Sequence, residues 1–413
     1  MKKLLMLMGT ISLIMPIASG VSSCSNSNKL IINFIPSVDP TATMATIKPL
    51  EAKLENKLKE LDSSFNKKVE IIMASDYEAA GEALRSGTTD LAFLSVNTYE
   101  NYRGEKQDDG TYKDAGIITV SSRPSIRSES TFEKFQKDNK FSNELASKYD
   151  FASDDSGISL ANAYNKVISS SVVDKQLSAQ ALSDTILNKE SDVSYYRSYV
   201  YANSNFVKNT LGNSVDPLNH EFKHDEVKKL ITQAQANKRI SLSENVTSSA
   251  GLLYPMLWLK NTMQFKDTEL KKMYDDKLIA LSSAAAAKGV TDDEPQFDIV
   301  FGWSDMREII YKQDNPSVFK NSVMIGTSYG IPNDGIMYSR KRMDETFANV
   351  VRSAFISLVR QSENKELFDV YNHSNYIGLE ENQSANQFEI ANDEIITKNY
   401  EKIKSIKELV SQF

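Results

Sequence analysis

The sequence alternates between short apolar runs and longer amphipathic stretches, and this alternation limits the possible folds more than any other feature. Residues 29–36 are apolar and rich in β-branched side chains, which predicts a strand, and residues 45–61 carry leucines at helical spacing. A second predicted strand at 68–74 precedes a helix at 75–87, and a third strand at 90–95 precedes a short helix. Such repeated units favour a parallel sheet covered by helices, with ligands bound beyond the carboxyl ends of the strands.

The same alternation returns in the second half of the chain. A tyrosine-rich stretch at 194–204 predicts a strand, a helix is expected at 224–238, and further strands at 239–244 and 297–302. Residues 123–194, between the two halves, are polar and predict an exposed helical excursion. The sequence therefore predicts an α/β fold with two units of sheet and helix.

The N-terminus has the features of an export signal. Lys2 and Lys3 precede an apolar stretch that is too short to span a bilayer core of about 30 Å, and small residues then lead to Cys24. The sequence "VSSC" resembles the bacterial lipobox, in which the signal is cleaved and the cysteine carries diacylglycerol. We therefore expect a signal peptide over 1–23, lipidation of Cys24 and a polar tether over 24–29.

The charge and hydropathy of the remaining chain limit its partners. The formal net charge of −7 argues against a nucleic-acid-binding protein, which needs a basic surface to replace the counterions of phosphate. No later run approaches the roughly 18 apolar residues of a membrane helix. We expect a monomer that is held at the extracellular face of the cell membrane by its lipid alone.

Four segments resemble, in the correct order, elements of the phosphonate-type periplasmic substrate-binding proteins of ABC transporters. Residues 75–99 are similar to a helix that starts with tyrosine, followed by an Asp-x-Ala-Phe strand. Residues 248–255, "SSAGLLYP", are similar to the Ser-Thr-Ser-Gly-x-x-x-Pro motif of that family. Residues 297–305 resemble its later strand and loop, and residues 328–340 its Ile-Pro-Asn-Asp return strand.

The resemblance implies a type II periplasmic-binding-protein-like fold, with two lobes, each a mainly parallel sheet flanked by helices, and a ligand cleft between them. Lobe one would comprise residues 30–122 and 330–413, and lobe two residues 198–329, with the excursion and crossing at 123–197. Such proteins deliver a solute to the permease and ATPase subunits of an ABC importer. The implied ligand is an organic solute that bears a phosphonate or phosphate.

A hydroxyl-rich loop is the leading candidate for the anion site. Thr247, Ser248 and Ser249 precede a predicted helix, whose unpaired N–H groups and partial positive charge favour an anion. Gly251 allows close approach of the backbone. One hydroxyl of this loop is equally expected as a plain N-cap. Ala250 departs from the family motif by one hydroxyl donor.

Four further residues are candidates through the resemblance. Tyr77 lies at the position of a ligand-contacting tyrosine, and Tyr196 matches an aromatic residue in a Tyr-x-Ser crossing element. Ser95 and Asn97 follow the third predicted strand and are expected at its ligand rim. Packing explains the two tyrosines as an alternative, and a turn cap does so for Ser95.

Trp303 and Asp305 follow a strand of the second unit. An indole face and a carboxylate would suit a cationic or heteroaromatic group on the ligand, although packing and surface roles are an equal alternative. Relatives in wall-less bacteria that bind thiamine pyrophosphate make this compound the second candidate ligand. A surface adhesin or antigen without a small ligand is the alternative function. We expect no enzyme activity, because no nucleophile has an evident base, and neither a cofactor nor a metal.

Overall fold

The computed structural model describes residues 28–35, 40–126, 156–193, 195–280, 283–303, 305–311, 317–369, 373, 375–377 and 384–412. The predicted signal peptide and Cys24 lie outside the described residues, so both stay predictions. Among the residues that the structure describes, no helix is long and apolar enough to cross a membrane.

The strands follow most of the apolar runs of the sequence. They are, in chain order, β1 (Lys29–Phe34), β2 (Lys68–Met73), β3 (Leu91–Leu94), β4 (Ala115–Ile126), β5 (Leu187–Val193), β6 (Tyr195–Asn203), β7 (Ile240–Ser241), β8 (Ile299–Gly302), β9 (Ser322–Pro332), β10 (Gly335–Ser339) and β11 (Asn375–Ile377).

The helices cover both faces of the sheets. They are α1 (Pro40–Ile47), α2 (Leu50–Leu61), α3 (Tyr77–Ser86), α4 (Val96–Tyr102), α5 (Ser156–Ser171), α6 (Ala179–Ile186), α7 (Ser204–Leu211), α8 (His224–Ala236), α9 (Tyr254–Asn261), α10 (Asp267–Asp275), α11 (Ser283–Thr291), α12 (Arg307–Tyr311), α13 (Val318–Asn321), α14 (Glu345–Val359), α15 (Lys365–Asp369) and α16 (Ala385–Val410). A π-helical turn, Ser249–Leu253, precedes α9, and a 3-10 turn, Ser362–Asn364, precedes α15.

The two predicted sheets are present, and the two-lobed α/β architecture is confirmed. The sheet of lobe one has the strand order β11-β4-β10-β3-β1-β2, with β5 paired to β4, and the sheet of lobe two has the order β7-β8-β6-β9. The expectation of mainly parallel sheets is wrong, because both sheets are mixed. β1 pairs in parallel with β2 and β3, whereas β10 is antiparallel to β3 and β4. β6 is antiparallel to both β8 and β9. The antiparallel pairs arise where the chain passes from one lobe to the other and returns.

One side chain joins the two crossings between the lobes, where the chain leaves lobe one after β4 and β5 and returns to it between β9 and β10. Asn333 lies between β9 of lobe two and β10 of lobe one and is fully buried. Its amide Nδ2 donates to the carbonyl of Ser121, over 2.9 Å, and to the carbonyl of Val193, over 3.2 Å. A buried amide that satisfies carbonyls of β4 and β5 stabilises this junction. The Asn of the Ile-Pro-Asn-Asp motif therefore has a structural role.

Helices α5 and α6 of the middle segment pack into lobe two and are not an exposed excursion, whereas residues 127–155 lie outside the described residues. Ile158, Tyr164 and Ile168 of α5 belong to the hydrophobic core of lobe two. Asn165 of the same helix donates to the carbonyl of Met324, over 2.7 Å, and accepts from the Met324 N–H, over 3.1 Å. This side chain thereby satisfies backbone groups of β9, which lies at the edge of its sheet. Lobe two thus begins before residue 198.

The C-terminal helix α16 contacts both lobes, although we expected residues 330–413 in lobe one alone. Near its start, Phe388 belongs to a core cluster of lobe one. Near its end, Ile403, Ile406 and Val410 belong to the core of lobe two. A helix of 26 residues is about 39 Å long, which is enough to reach across the lobe junction. The chain therefore joins its lobes by α16 as well as by the crossing strands.

Glu389 anchors α16 to lobe one and makes stability depend on pH. It is fully buried and accepts from Tyr112 N–H, Ile117 N–H and Arg340 Nη2 over 2.9, 3.2 and 2.7 Å. Burial raises its pKa from 4.5 to about 7, against the opposing effect of Arg340 and the two N–H donors. Between these values the folded chain keeps a proton that the unfolded chain has lost.

The free energy of unfolding should therefore fall as pH rises from about 4.5 to about 7, by a few kcal/mol at most. We expect Glu389→Gln, which cannot titrate, to show a flatter dependence of the melting temperature on pH over this interval in scanning calorimetry. Glu394→Gln is the matched control, because Glu394 lies on the same helix with an exposed side chain. A slope in Glu389→Gln equal to that of the wild type would show that Glu389 does not titrate there.

Candidate ligand cavity between the lobes

A cavity of about 290 Å³ lies between the lobes and takes residues from both. Tyr77 and Ser95 come from lobe one, and Arg123 and Asp334 from the crossings. The wall formed by lobe two consists of Tyr196, Ser241, Leu242, Ser243, Asn245, Thr247, Ser248, Ser249, Ala250, Gly251, Ala280, Ala286, Phe301, Gly302, Trp303 and Met306.

The hydroxyl-rich loop leads into α9 through the π-helical turn Ser249–Leu253. Pro255 explains why this turn is π-helical. Pro255 has no N–H, so the carbonyl of Gly251 lacks its usual helical donor. That carbonyl accepts instead from the N–H of Ser243, over 2.9 Å. A Cβ on Gly251 would lie 2.7 Å from Ser243 Cβ and 2.8 Å from Ser248 Oγ, so this close approach requires glycine.

The three hydroxyls of the loop have different roles. Ser248 is the N-cap, and its Oγ accepts from the Gly251 N–H over 3.2 Å. Thr247 Oγ1 donates to Asn245 Oδ1 over 2.8 Å, which shapes the turn before the cap. Ser249 Oγ accepts from the Asn97 amide of lobe one over 2.9 Å. All three line the cavity.

Two backbone donors at the start of this helix are available to an anion. Ser249 and Ala250 line the cavity, and their N–H groups have no acceptor among the described residues. They are the first two N–H groups of a helical segment that runs from Ser249 through α9, where the helix dipole places partial positive charge. The loop is thus capped by Ser248 and still presents free donors.

Arg123 is a site residue that the sequence reasoning missed. It lies on β4, its side chain is 91% buried, and its guanidinium carbon is 4.8 Å from the centre of the Tyr196 ring. Its buried Nε has no hydrogen-bond partner among the described residues. Burial lowers the pKa of Arg123, and the charge of Asp334 opposes this shift. The signal was a cation followed by proline within an otherwise uncharged strand, residues 115–126.

Asp334 places a carboxyl group in the same cavity. Burial raises its pKa, whereas the charge of Arg123 lowers it. Asp334 follows Asn333 in the return motif. The turn in which Asn333 joins the two crossings therefore also places Asp334 in the cavity wall. The cavity therefore contains one buried cation near one partly buried carboxyl group.

On lobe one, Tyr77 and Ser95 line the cavity as expected from the sequence. Tyr77 is the first residue of α3, whose N-cap is Asp76. Ser95 is also the N-cap of α4, since its Oγ accepts from the Thr98 N–H over 3.1 Å. Asn97 does not line the cavity, but its amide is hydrogen bonded to Ser249, which does.

On lobe two, Tyr196 and Trp303 line the cavity, whereas Asp305 does not. Asp305 is 5% exposed and forms an ion pair with Arg307, with Oδ1 and Oδ2 accepting over 2.8 and 2.7 Å. It also accepts from the Tyr164 hydroxyl over 2.7 Å. These bonds turn the carboxylate into the core, so the expectation that it faces a ligand is wrong.

No metal site is evident in the part of the chain that the structure describes, where no three His, Cys, Asp or Glu side chains lie close enough to hold an ion. Among the described residues that line the cavity, the groups able to donate to an anion include hydroxyls, backbone N–H groups and the Arg123 guanidinium.

The sequence of lobe one matches a known family. Residues 32–128 match the model of the family described as ABC transporter, phosphonate, periplasmic substrate-binding protein. The matched segment contains Tyr77, Ser95, Asn97 and Arg123. No curated protein shows a significant sequence match to the chain.

Solved structures with the same fold cover nearly the whole chain. Mh-p37 from Mycoplasma hyorhinis, described as a putative thiamine pyrophosphate transporter, has a TM-score of 0.59 at 14% identity, over 91% of this chain and 98% of its own. PhnD1 from Prochlorococcus marinus, in complex with methylphosphonate, has a TM-score of 0.51 at 16% identity, over 92% and 100%. A Xanthomonas citri protein bound to ATP has a TM-score of 0.51 at 12% identity, over 93% and 100%.

At these identities the structural similarity establishes the fold alone, while the sequence match concerns lobe one. Both agree with the resemblance read from the four sequence segments. The chain is a two-lobed α/β protein of the periplasmic-binding-protein fold, and its residues 32–128 match the phosphonate-type substrate-binding family of ABC transporters.

Proposed function

We propose that this protein is the extracytoplasmic solute-binding component of an ABC importer and that it binds an organic solute bearing a phosphonate or phosphate between its lobes. The observation that carries the proposal is the meeting of Arg123 with the hydroxyl-rich loop in one cavity. A buried guanidinium whose Nε has no partner in the described part of the chain is costly unless a ligand satisfies it.

The donors around the cavity suit a phosphoryl group. The N–H groups of Ser249 and Ala250 lie at a helix start, and the hydroxyls of Ser249 and Tyr196 are beside them. Arg123 adds a positive charge to the same cavity. Charge-assisted hydrogen bonds from fixed donors in a site shielded from water are stronger than those between neutral groups. An anion that contacts both lobes would also favour closure of the lobes around it.

The volume of the cavity favours a compact ligand. About 290 Å³ lies at the lower end of the range for small-molecule sites, which is about 300–1,000 Å³. A solute with one phosphoryl group and a short organic part therefore fits best. We propose that permease and ATPase subunits receive this solute, and that the binding protein acts as a monomer.

The anchoring part of the proposal rests on the sequence. The apolar signal and the "VSSC" sequence support lipidation of Cys24 after cleavage. A lipid anchor on the extracellular face would keep the binding protein beside its permease.

Thiamine pyrophosphate is the second candidate ligand, and one observation favours it. Phe301 and Trp303 form an aromatic part of the wall formed by lobe two, and Asp334 adds a carboxyl group. An aromatic face and a carboxylate suit a cationic heteroaromatic ring, while the diphosphate would occupy the donors of the loop. The same cavity argues against an adhesin without a ligand, because among the described residues the buried Arg123 Nε has no hydrogen-bond acceptor.

Thermal unfolding with a panel of solutes tests the proposal. We expect methylphosphonate, thiamine monophosphate or thiamine pyrophosphate to raise the melting temperature, because a ligand at 100 times its Kd adds about 2.7 kcal/mol to the free energy of unfolding. Methanol and thiamine are the matched controls without a phosphoryl group, and neither should shift the melting temperature. A panel in which no phosphoryl compound stabilises the protein would contradict the proposed function and favour the adhesin alternative.

A further inference from the structure

Four buried polar side chains form a continuous hydrogen-bond chain that ends at the cavity. The Tyr254 hydroxyl of lobe two donates to Asn399 Oδ1 on the C-terminal helix α16. Asn399 Nδ2 then donates to Asn97 Oδ1 of lobe one over 2.9 Å. Asn97 Nδ2 donates in turn to Ser249 Oγ over 2.9 Å. Each of these residues is at least 93% buried.

The bonds of this chain all run in one direction, towards the cavity. Each asparagine accepts through its carbonyl oxygen and donates through its amide nitrogen. The Ser249 oxygen therefore already accepts a hydrogen bond, which leaves its proton for donation. Ser249 lines the cavity, so this proton can be donated to a ligand.

We infer that Asn97 and Asn399 are positioning residues for the anion site: they orient the hydroxyl of Ser249 as a donor towards the cavity. This inference rests on the proposed function. A hydroxyl that is held as a donor favours ligand oxygens that carry no proton, such as those of an ionised phosphoryl group. It also makes α16 part of the binding site, although no residue of α16 lines the cavity.

The chain links the orientation of the Ser249 hydroxyl to the position of the lobes. Asn97 belongs to lobe one and Ser249 to lobe two, so the bond between them breaks when the lobes separate. Asn399 contacts both sides through Asn97 and Tyr254. The Ser249 hydroxyl is therefore oriented in advance only when the lobes are together, and this order reduces the entropy lost on binding.

Asn399→Asp is the variant that reverses the chain without removing atoms. An ionised Asp at this position accepts from Tyr254 but cannot donate to Asn97. The Asn97 amide must then turn, so that its nitrogen donates to position 399 and its oxygen faces Ser249. Ser249 would then donate to Asn97. Its hydroxyl proton would be turned away from the ligand.

We expect Asn399→Asp to weaken binding by about tenfold or more, measured by calorimetric titration above neutral pH, because a hydrogen bond to a charged ligand is lost. The probes are methylphosphonate and thiamine pyrophosphate. Ser249→Ala removes the hydroxyl at the end of the chain. Adding Asn399→Asp to Ser249→Ala should therefore cause no further loss, a result that a general structural role of Asn399 would not give.

Asn392→Asp is the matched control, because Asn392 is 2% exposed on the same helix and, among the described residues, its amide donates only to the Phe388 carbonyl of that helix. It should bind both probes as the wild type does. If Asn399→Asp does not fold, as judged by circular dichroism, Asn97→Asp reverses the last step of the same chain and should show the same dependence on Ser249.

Two results would overturn the inference. An Asn399→Asp variant that binds like the wild type would show that Asn399 does not orient the Ser249 hydroxyl, with the proposed function intact. An equal loss in the presence and absence of the Ser249 hydroxyl would assign Asn399 a general structural role. If wild-type protein binds neither probe, the proposed function fails first and the inference falls with it.

Discussion

Replacing Arg123 with methionine should weaken the binding of a phosphoryl ligand by about 2 kcal/mol or more, which is roughly thirtyfold. Arg123 is 91% buried, lines the cavity and has an Nε without a partner among the described residues. Its loss removes the cation of the site and also leaves Asp334 without a compensating charge. The Asp334 carboxyl group would then repel an anionic ligand without an opposing positive charge from Arg123. Calorimetric titration of methylphosphonate and thiamine pyrophosphate measures the change.

Two controls separate the role of the charge from other effects of this substitution. Arg123→Lys keeps the charge and should bind more tightly than Arg123→Met, although it lacks the planar guanidinium. Arg360→Met changes an exposed arginine at the end of α14 and should leave affinity unchanged. Equal affinity in Arg123→Met and the wild type would exclude Arg123 as an anion contact.

Replacing Arg307 with methionine should lower the free energy of unfolding by about 3–5 kcal/mol, because it leaves Asp305 charged and buried without its partner. Arg307 is fully buried, and its Nη1 also donates to the carbonyl of Ser322 over 3.0 Å. Both tryptophans of the chain, Trp258 and Trp303, lie in lobe two, so their fluorescence during urea unfolding reports the loss.

The double variant Asp305→Leu/Arg307→Met provides the internal control. It removes both charges, so it should be more stable than Arg307→Met alone, since an apolar pair costs less than an uncompensated carboxylate. A double variant less stable than Arg307→Met would show that Asp305 stabilises lobe two through Tyr164 and not through its ion pair.

The alternation of strands and helices predicted the fold because each strand and each helix buries its own apolar face. The leucines of α2 and the apolar run of β1 are local signals, and both elements lie where the sequence placed them. Strand direction was harder to predict, since an antiparallel partner such as β10 comes from more than 200 residues away. The packing of α5 was missed for a similar reason. Its apolar residues are spaced like those of any amphipathic helix, and nothing local indicates which sheet they cover.

The candidate site was predictable where a residue type has a local function. The hydroxyls of the loop and Gly251 are tied to a helix start, so the sequence placed them in the cavity wall. Arg123 was missed because its significance depends on burial, which a single cation in a strand does not reveal. Asp305 was predicted to face a ligand, but its carboxylate forms an ion pair with Arg307, only two residues away.

A crystal structure of the protein with methylphosphonate or thiamine pyrophosphate tests the central claim most directly. We expect a phosphoryl group within hydrogen-bond distance of the Ser249 N–H, the Ser249 or Tyr196 hydroxyl, and the Arg123 guanidinium. A phosphoryl group bound elsewhere on the protein, or a cavity without ligand at a saturating concentration of both compounds, would contradict it.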